Sequence, residues 1–244
     1  MVNRINHIRI FFILVGFAVV TGACGPAFAE ATITGKVSFE GEAPAAKPIN
    51  FGAEKQCAAA HGDKIPVMED LVVNPNNTVK WALVYVKEGA DGGQYTAPAE
   101  PATIDQKGCL FAPHAMAVMA GQKVIFRNDD AVLHNVRSLS KVNKAFNIAQ
   151  PIQGMTTTKT FPEPEIGVKL RCDVHFWMAS YIHVLKNPFF AITGDDGSFT
   201  IKGLPAGTYT LEVWHETLGT MTQTVTVGES DSKEVAFTLK KSLI

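Results

Sequence analysis

Apolar and polar residues alternate along much of this chain, with the two-residue period of half-buried β-strands. The first clear case is the stretch 31–39, in which Ile33, Val37 and Phe39 occupy odd positions. Similar short stretches follow, separated by turn-forming Pro, Gly and Asn residues. The further strands that this pattern predicts are 71–73, 79–86, 115–118, 124–127, 156–161, 167–172 and 181–185. The sequence therefore predicts an all-β sandwich or barrel, with at most a short helix at 53–61.

The last part of the chain has its own pattern of turns. Asp196-Gly197 and Pro205-Ala206-Gly207 separate alternating stretches, as tight turns between strands do. Residues 187–244 resemble the second half of a carboxypeptidase regulatory-like, transthyretin-type β-sandwich. The opening strand of that family carries a Gly-x-Val pattern, which Gly35-Lys36-Val37 supplies here. We therefore expect the strand 31–40 to join the C-terminal sheet, with another domain inserted between them.

The N-terminus has the features of a secretory signal peptide. Basic residues precede an apolar run at 10–20, and Ala27-Phe28-Ala29 offers small residues for cleavage. We expect residues 1–29 to be removed, which gives a periplasmic or secreted protein. Lipid attachment at Cys24 is the less favoured alternative, because Thr21 stands where a bulky aliphatic residue is usual. No later stretch has the ~20 consecutive apolar residues of a transmembrane helix, so the mature protein is expected to lack a membrane span.

Charge excludes one class of partner. The full chain has a formal net charge of −1, and loss of two arginines and no acid with residues 1–29 takes it to −3. A chain of this charge, without basic clusters, gives no indication of nucleic-acid binding.

The cysteine count is odd after cleavage at Ala29. Cys57, Cys109 and Cys172 remain, and an unpaired cysteine in an oxidising compartment needs a reason. Two of the three can form a disulfide bond, and the third then has another role.

The residues with distinctive chemistry lie between Gly121 and Leu185. His134-Asn135-Val136 follows a predicted strand, and Cys172-Asp-Val-His175-Phe-Trp-Met178 comes 38 residues after His134. Thiolate and thioether sulfurs stabilise Cu(I), and imidazoles suit both copper oxidation states. A Cys/His/His site with a weak axial Met is the ligand set of blue copper centres. This motif predicts one type 1 copper ion.

The stretch 111–185 resembles the cupredoxin family, especially its amicyanin, pseudoazurin and plastocyanin branches. The resemblance is carried by Gly121-Gln-Lys-Val-Ile-Phe-Arg-Asn128, by the His134-Asn135-Val136 segment and by the ligand-loop spacing of Cys172, His175 and Met178. It implies a Greek-key β-sandwich with His134, Cys172, His175 and Met178 as copper ligands. It also implies that Asn135 holds the ligand loop by hydrogen bonding, and that His175 gives electrons a route to solvent.

Two features of the cysteines and the ligand loop modify this picture. Cys57 and Cys109 both precede the copper motif, and we interpret them as a disulfide pair that leaves Cys172 free. Asp173 departs from the family pattern, and a carboxylate beside the ligating cysteine would favour Cu(II) if it pointed inward.

The domain organisation that follows has four parts. Residues 1–29 are a signal peptide, 30–66 an N-terminal strand and connection, 67–186 a cupredoxin-like copper domain, and 187–244 a second small β-sandwich. The expected function is one-electron transfer with a redox partner protein such as a cytochrome or a dehydrogenase. The alternative is copper binding for delivery, storage or sensing. Zinc is the competing metal, and an enzyme is not expected, because the sequence offers no open coordination position and no nucleophile-base pair.

Overall fold

The computed structural model describes residues 30–241, which consist almost entirely of β-strands. Residues 1–29, with the predicted signal peptide and Cys24, lie outside the described residues. The elements in chain order are β1 (Ala31–Glu40), α1 (Lys55–Ala59), β2 (Leu83–Glu88), β3 (Ala102–Gln106), β4 (Phe111–Ala112), β5 (Ala115–Met119), β6 (Lys123–Asn128), β7 (His134–Ser138), β8 (Asn147–Gln150), β9 (Thr156–Thr160), β10 (Glu165–Arg171), β11 (Ala179–Leu185), β12 (Phe190–Ile192), β13 (Ser198–Leu204), β14 (Gly207–His215), β15 (Gly219–Val227) and β16 (Ser232–Lys240). The strands form two β-sandwiches, so the predicted all-β class is confirmed.

The first sandwich contains the copper motif. A five-stranded sheet in the order β5-β11-β10-β7-β8 faces a four-stranded sheet in the order β4-β3-β6-β9. Alternating side chains of β6 point inward, and Phe126 packs with Phe161, Leu170 and Ile182 in the shared core. This sandwich holds β7 and β10 as neighbours, with Leu170 opposite Ser138.

The second sandwich combines both ends of the described chain. Its two sheets have the orders β13-β1-β16 and β12-β2-β14-β15. β1 runs parallel to β16 from Thr32 to Glu40 and antiparallel to β13. A Cβ atom on Gly35 would lie 1.7 Å from the carbonyl oxygen of Val235, so only glycine fits at this position of β1 beside β16. The strand 31–40 thus completes the C-terminal module, and the first sandwich is inserted between β1 and the other strands of that module.

The strand β2 lies outside the sandwich in which the sequence analysis placed it. It lies in the second sandwich, paired with β14 and β12, whereas the predicted copper domain spanned residues 67–186. Val84 and Val86 enter the core of the second sandwich, and Leu83 and Tyr85 pack on the opposite face. Apolar alternation identifies a half-buried strand but contains no information about which sheet the strand joins.

The two sandwiches are in contact through an apolar layer. Leu83 and Tyr85 of β2 and Trp214 of β14 pack against Leu185 of β11 and Ile166 of β10. Across the described residues, no helix is long and apolar enough to cross a membrane.

Candidate metal centre

The segment between β10 and β11 carries three of the four predicted ligands on a tight turn. The N–H of Cys172 donates to the carbonyl of Met178 (3.2 Å), and the N–H of Met178 donates to the carbonyl of His175 (2.9 Å). These bonds close the seven residues 172–178, called here the ligand loop. The turn directs Cys172 and His175 into one buried cluster at the end of the first sandwich.

His134 reaches the same cluster from the first residue of β7. Its Nδ1 atom lies 2.9 Å from Nδ1 of His175, and that atom is 3.8 Å from Sγ of Cys172. The three donor atoms lie within 4.8 Å of one another, and all three residues are buried. The structure therefore brings together the imidazole and thiolate ligands that the sequence motif predicts.

Met178 is buried beside this cluster. It is the last residue of the ligand loop, and it packs in the same apolar core as Cys172 and Trp177. Its role as an axial thioether ligand stays a prediction.

Electrostatics at the cluster shift the pKa values of Cys172 and His134 in favour of the thiolate and of the protonated imidazole. Burial alone would raise the pKa of Cys172, but hydrogen bonds from His134 and from backbone N–H groups outweigh burial and lower that pKa. Burial opposes protonation of His134, yet Asp130 and Cys172 raise its pKa above the ordinary value. The pKa of His175 is lowered, by burial first and then by His134. A thiolate is the form of cysteine that binds metals.

Asn135 joins β7 to the ligand loop. Its Oδ1 accepts the N–H of Asp173 at 2.6 Å and lies 3.3 Å from Sγ of Cys172. Its Nδ2 donates to Oδ1 of Asn147 at 2.5 Å. These contacts are those of a residue that positions the thiolate, which is the role the resemblance implies.

Asp130 is a functional residue that the sequence analysis did not identify. One carboxylate oxygen accepts the N–H of Gly108 and the other that of Cys109, both at 2.7 Å, and Oδ2 lies 2.9 Å from Nε2 of His134. A carboxylate on the outer nitrogen of a histidine fixes the ring and leaves the other nitrogen for a metal. The only signal in the sequence is an acidic residue four positions before His134.

Asp173 points away from the cluster. Its carboxylate contacts the guanidinium groups of Arg171 (2.9 Å) and Arg137 (3.4 Å) and accepts from Asn147 (3.0 Å). The negative charge beside Cys172 is thus paired with two positive charges outside the ligand cluster.

Cys57 and Cys109 are joined by a disulfide bond with a Cα–Cα distance of 5.4 Å. Among the described cysteines, Cys172 alone is free. The sulfur atoms of the bond lie within 4.8 Å of a ring nitrogen of His175, so the crosslink is part of the wall of the cluster. The sequence predicts the disulfide between Cys57 and Cys109 but not the proximity of that disulfide to His175.

His175 is not exposed to solvent, although the resemblance implies that it gives electrons a route to solvent. Only 1% of the residue is exposed. In the segment 49–66, Sγ of Cys57 lies within 4.8 Å of a ring nitrogen of His175, and Oε2 of Glu54 lies 4.0 Å from its Nε2. We call this segment the cap. Its ends are joined by a hydrogen bond from the N–H of Ile49 to the carbonyl of Pro66 (2.9 Å).

Comparison with known proteins identifies the C-terminal module. Residues 185–240 match the family model of the carboxypeptidase regulatory-like domain, as the sequence predicts. No curated protein matches the chain in sequence.

Several solved copper proteins resemble part of this chain at low similarity. The copper-containing nitrite reductase from Thermus scotoductus SA-01 has 22% identity and a TM-score of 0.34, over 38% of this chain and 24% of its own length. A purple cupredoxin from Nitrosopumilus maritimus has 24% identity and a TM-score of 0.30, over 34% of this chain and 99% of its own. An amicyanin variant with Cu(I) has 19% identity and a TM-score of 0.32, over 37% of this chain and 97% of its own length. Values of this size carry no argument about function.

Proposed function

We propose that this protein binds one type 1 copper ion through His134, Cys172 and His175, with Met178 as the axial ligand, and that it transfers single electrons. The observation that carries the proposal is the convergence of two Nδ1 atoms and one Sγ atom in a buried cluster. Two imidazoles, a thiolate and a thioether are the donor set that accommodates both copper oxidation states.

The spacing of the donor atoms suits a single metal ion that all of them bind. A nitrogen about 2.0 Å and a sulfur about 2.3 Å from one ion in a trigonal plane lie about 3.7 Å apart. The distance between Nδ1 of His175 and Sγ of Cys172 is 3.8 Å. The two Nδ1 atoms are 2.9 Å apart and would separate by about 0.6 Å to share an ion in the same geometry.

The protein side chains have separate tasks around the ion. Asp130 orients His134 through its outer nitrogen, Asn135 holds the Cys172 end of the ligand loop, and the surrounding core excludes water. Copper, when bound, supplies the one-electron redox chemistry. Ligands held in this way by the protein change position little between oxidation states, which favours rapid electron exchange.

Export and a redox partner are part of the proposal. The Cys57–Cys109 bond supports an exported protein, because disulfides persist in oxidising compartments. We expect the protein to act in the periplasm or outside the cell, without catalysing a reaction of its own. A cytochrome or a dehydrogenase would give or take the electron, and nucleic acid is not expected as a partner.

A second candidate function is copper delivery, storage or sensing. It is favoured by the burial of all three donor residues and by the cap over His175, since limited access would also retain a stored ion.

Voltammetry of the copper-loaded protein separates the two functions. Electron transfer predicts a reversible one-electron couple, together with resistance of the copper to a competing chelator in both oxidation states. Delivery predicts no reversible couple and rapid loss of Cu(I) to the chelator. The matched control is Asn147→Ala, which changes a neighbouring side chain but no donor atom and should keep the couple.

A further inference from the structure

The exposure of the ligand loop changes abruptly between neighbouring residues. His175 is 1% exposed, whereas Phe176 is 84% exposed, the highest value among the large apolar side chains of the described residues. The ring of His175 is therefore shielded from solvent, whereas the side chain of the next residue, Phe176, extends into the solvent.

The cap that seals His175 is held in place at several points. Its helix α1 is tied to the first sandwich through the Cys57–Cys109 bond, and Nε2 of His61 lies 2.7 Å from the carbonyl oxygen of Gly108. Phe51 packs edge-on against Trp177, with 5.3 Å between ring centroids. Glu54 lies outside His175, with its Oε2 4.0 Å from Nε2. A partner could not reach the ring edge of His175 without displacing this segment.

A chain of aromatic rings leads from His175 to the surface beside the cap. The centroid of His175 is 5.3 Å from that of Trp177, and Trp177 is 5.3 Å from Phe176. The indole N–H of Trp177 donates to the carbonyl of Cys109 at 2.9 Å, which fixes the middle ring. Electron transfer slows steeply with distance through a protein, so contacting rings that end in solvent offer a short route.

We propose, on the basis of the function proposed above, that electrons reach the copper through Phe176 and Trp177, while the disulfide-tied cap closes the route through the edge of His175. In the outward direction one electron leaves Cu(I), which becomes Cu(II), and passes by way of these rings to a one-electron acceptor.

The rate of oxidation by a small reagent tests this route. The reduced, copper-loaded protein is mixed with hexacyanoferrate(III), which gains the electron that Cu(I) loses. Phe176→Ala should slow the reaction about tenfold, within the range by which surface substitutions alter association-limited rates. The matched control is Leu133→Ala, which truncates an apolar side chain, 45% exposed, beside the other imidazole ligand. It should leave the rate within about twofold of the original.

Absorption spectra and reduction potentials distinguish a change in the electron route from a change in the copper site. Both variants should keep the visible absorption band and the reduction potential of the unmodified protein, because neither side chain supplies a donor atom. Equal rates for Phe176→Ala and the unmodified protein, or equal slowing by Leu133→Ala, would overturn the route. Absence of a copper-thiolate band in the unmodified protein would instead overturn the function on which the route rests.

The cap can be tested without metal. In the metal-free protein, carbethoxylation of histidines by diethyl pyrocarbonate is followed by peptide mass spectrometry, with the partly exposed His61 as internal reference. His175 should stay unmodified while the disulfide is intact and become modified after its reduction by a phosphine. Modification of His175 at the rate of His61 in the intact protein would show that the cap does not seal the ring.

Discussion

The Nδ1 atoms of His134 and His175 face each other across 2.9 Å, although the two residues are 41 positions apart in the chain. Each ring has a negatively charged group near its other nitrogen, Asp130 beside His134 and Glu54 at 4.0 Å from His175. At most one of the two facing nitrogens carries a proton, which it donates to the other. Binding of a metal ion between them would use the lone pairs of both nitrogens.

Asn135 should control how firmly the thiolate is held. Asn135→Ala removes the acceptor for the N–H of Asp173, and loss of this partly buried hydrogen bond costs about 1 kcal/mol of unfolding free energy. Copper affinity should fall about 10- to 100-fold, as for other residues that orient metal ligands. Chelator competition measures the affinity and urea denaturation the stability. Asn76→Ala is the control, because it removes an amide that is hydrogen-bonded to Asp196 in the second sandwich, and an equal loss of affinity in that variant would contradict the role given to Asn135.

The Cys57–Cys109 bond should contribute substantially to stability. It closes a loop of 52 residues, and crosslinks of this kind typically stabilise by about 2–4 kcal/mol. We expect a loss of that size in urea denaturation when both cysteines are replaced by serine. Cys172→Ser in the metal-free protein, which removes a sulfur but no crosslink, should cost clearly less. A double variant as stable as the original would show that the bond is not formed in solution.

The union of both chain ends in one sandwich depends on Gly35. Gly35→Ala would drive a methyl group into the carbonyl of Val235 and the ring of Phe199, so β1 could not stay between its neighbours. We expect destabilisation of more than about 4 kcal/mol or failure to fold. The matched change is Gly92→Ala, where the added carbon meets nothing within 4 Å. Similar thermal unfolding of the two variants would argue against the observed pairing of β1.

His183 should make the protein sensitive to acid. It is fully buried against Trp214, its Nδ1 accepts the N–H of Gly167, and burial lowers its pKa to about 3. Because the folded pKa lies below that of the unfolded chain, the unfolded state alone gains a proton as the pH falls below about 6.5. Stability should therefore drop between about pH 6.5 and pH 3, by up to ~1.4 kcal/mol per pH unit from this residue.

His183→Phe provides the test of that slope. The phenyl ring can still pack on Trp214 but cannot take up a proton, so the dependence of stability on pH should flatten even if the absolute stability falls. Denaturation at several pH values gives both quantities. An unchanged slope would mean that His183 does not contribute to acid lability.

Local sequence patterns were sufficient for much of this architecture. The stretches 115–118, 124–127 and 181–185 correspond closely to β5, β6 and β11, because alternation of apolar residues reflects burial of one strand face. Residues of the ligand loop are adjacent in sequence, so their spacing alone indicates that they can converge.

Long-range packing explains what the sequence did not predict. The sheet that β2 joins depends on partners more than 100 residues away, such as Val213 opposite Val84. The cap covers His175 partly because a disulfide brings residue 57 to residue 109. The contact of Asp130 with His134 is local, and it depends on the conformation of the turn between β6 and β7. None of these contacts leaves a periodic signal in the chain.

The visible spectrum of the copper-loaded protein tests the central claim most directly. A thiolate bound to Cu(II) gives an intense charge-transfer band, and we predict that band in the unmodified protein, with one copper ion bound per chain. Cys172→Ser should abolish the band, while Asn147→Ala should retain it. A colourless Cu(II) protein, or a band that survives Cys172→Ser, would contradict the assignment of Cys172 to a type 1 copper centre.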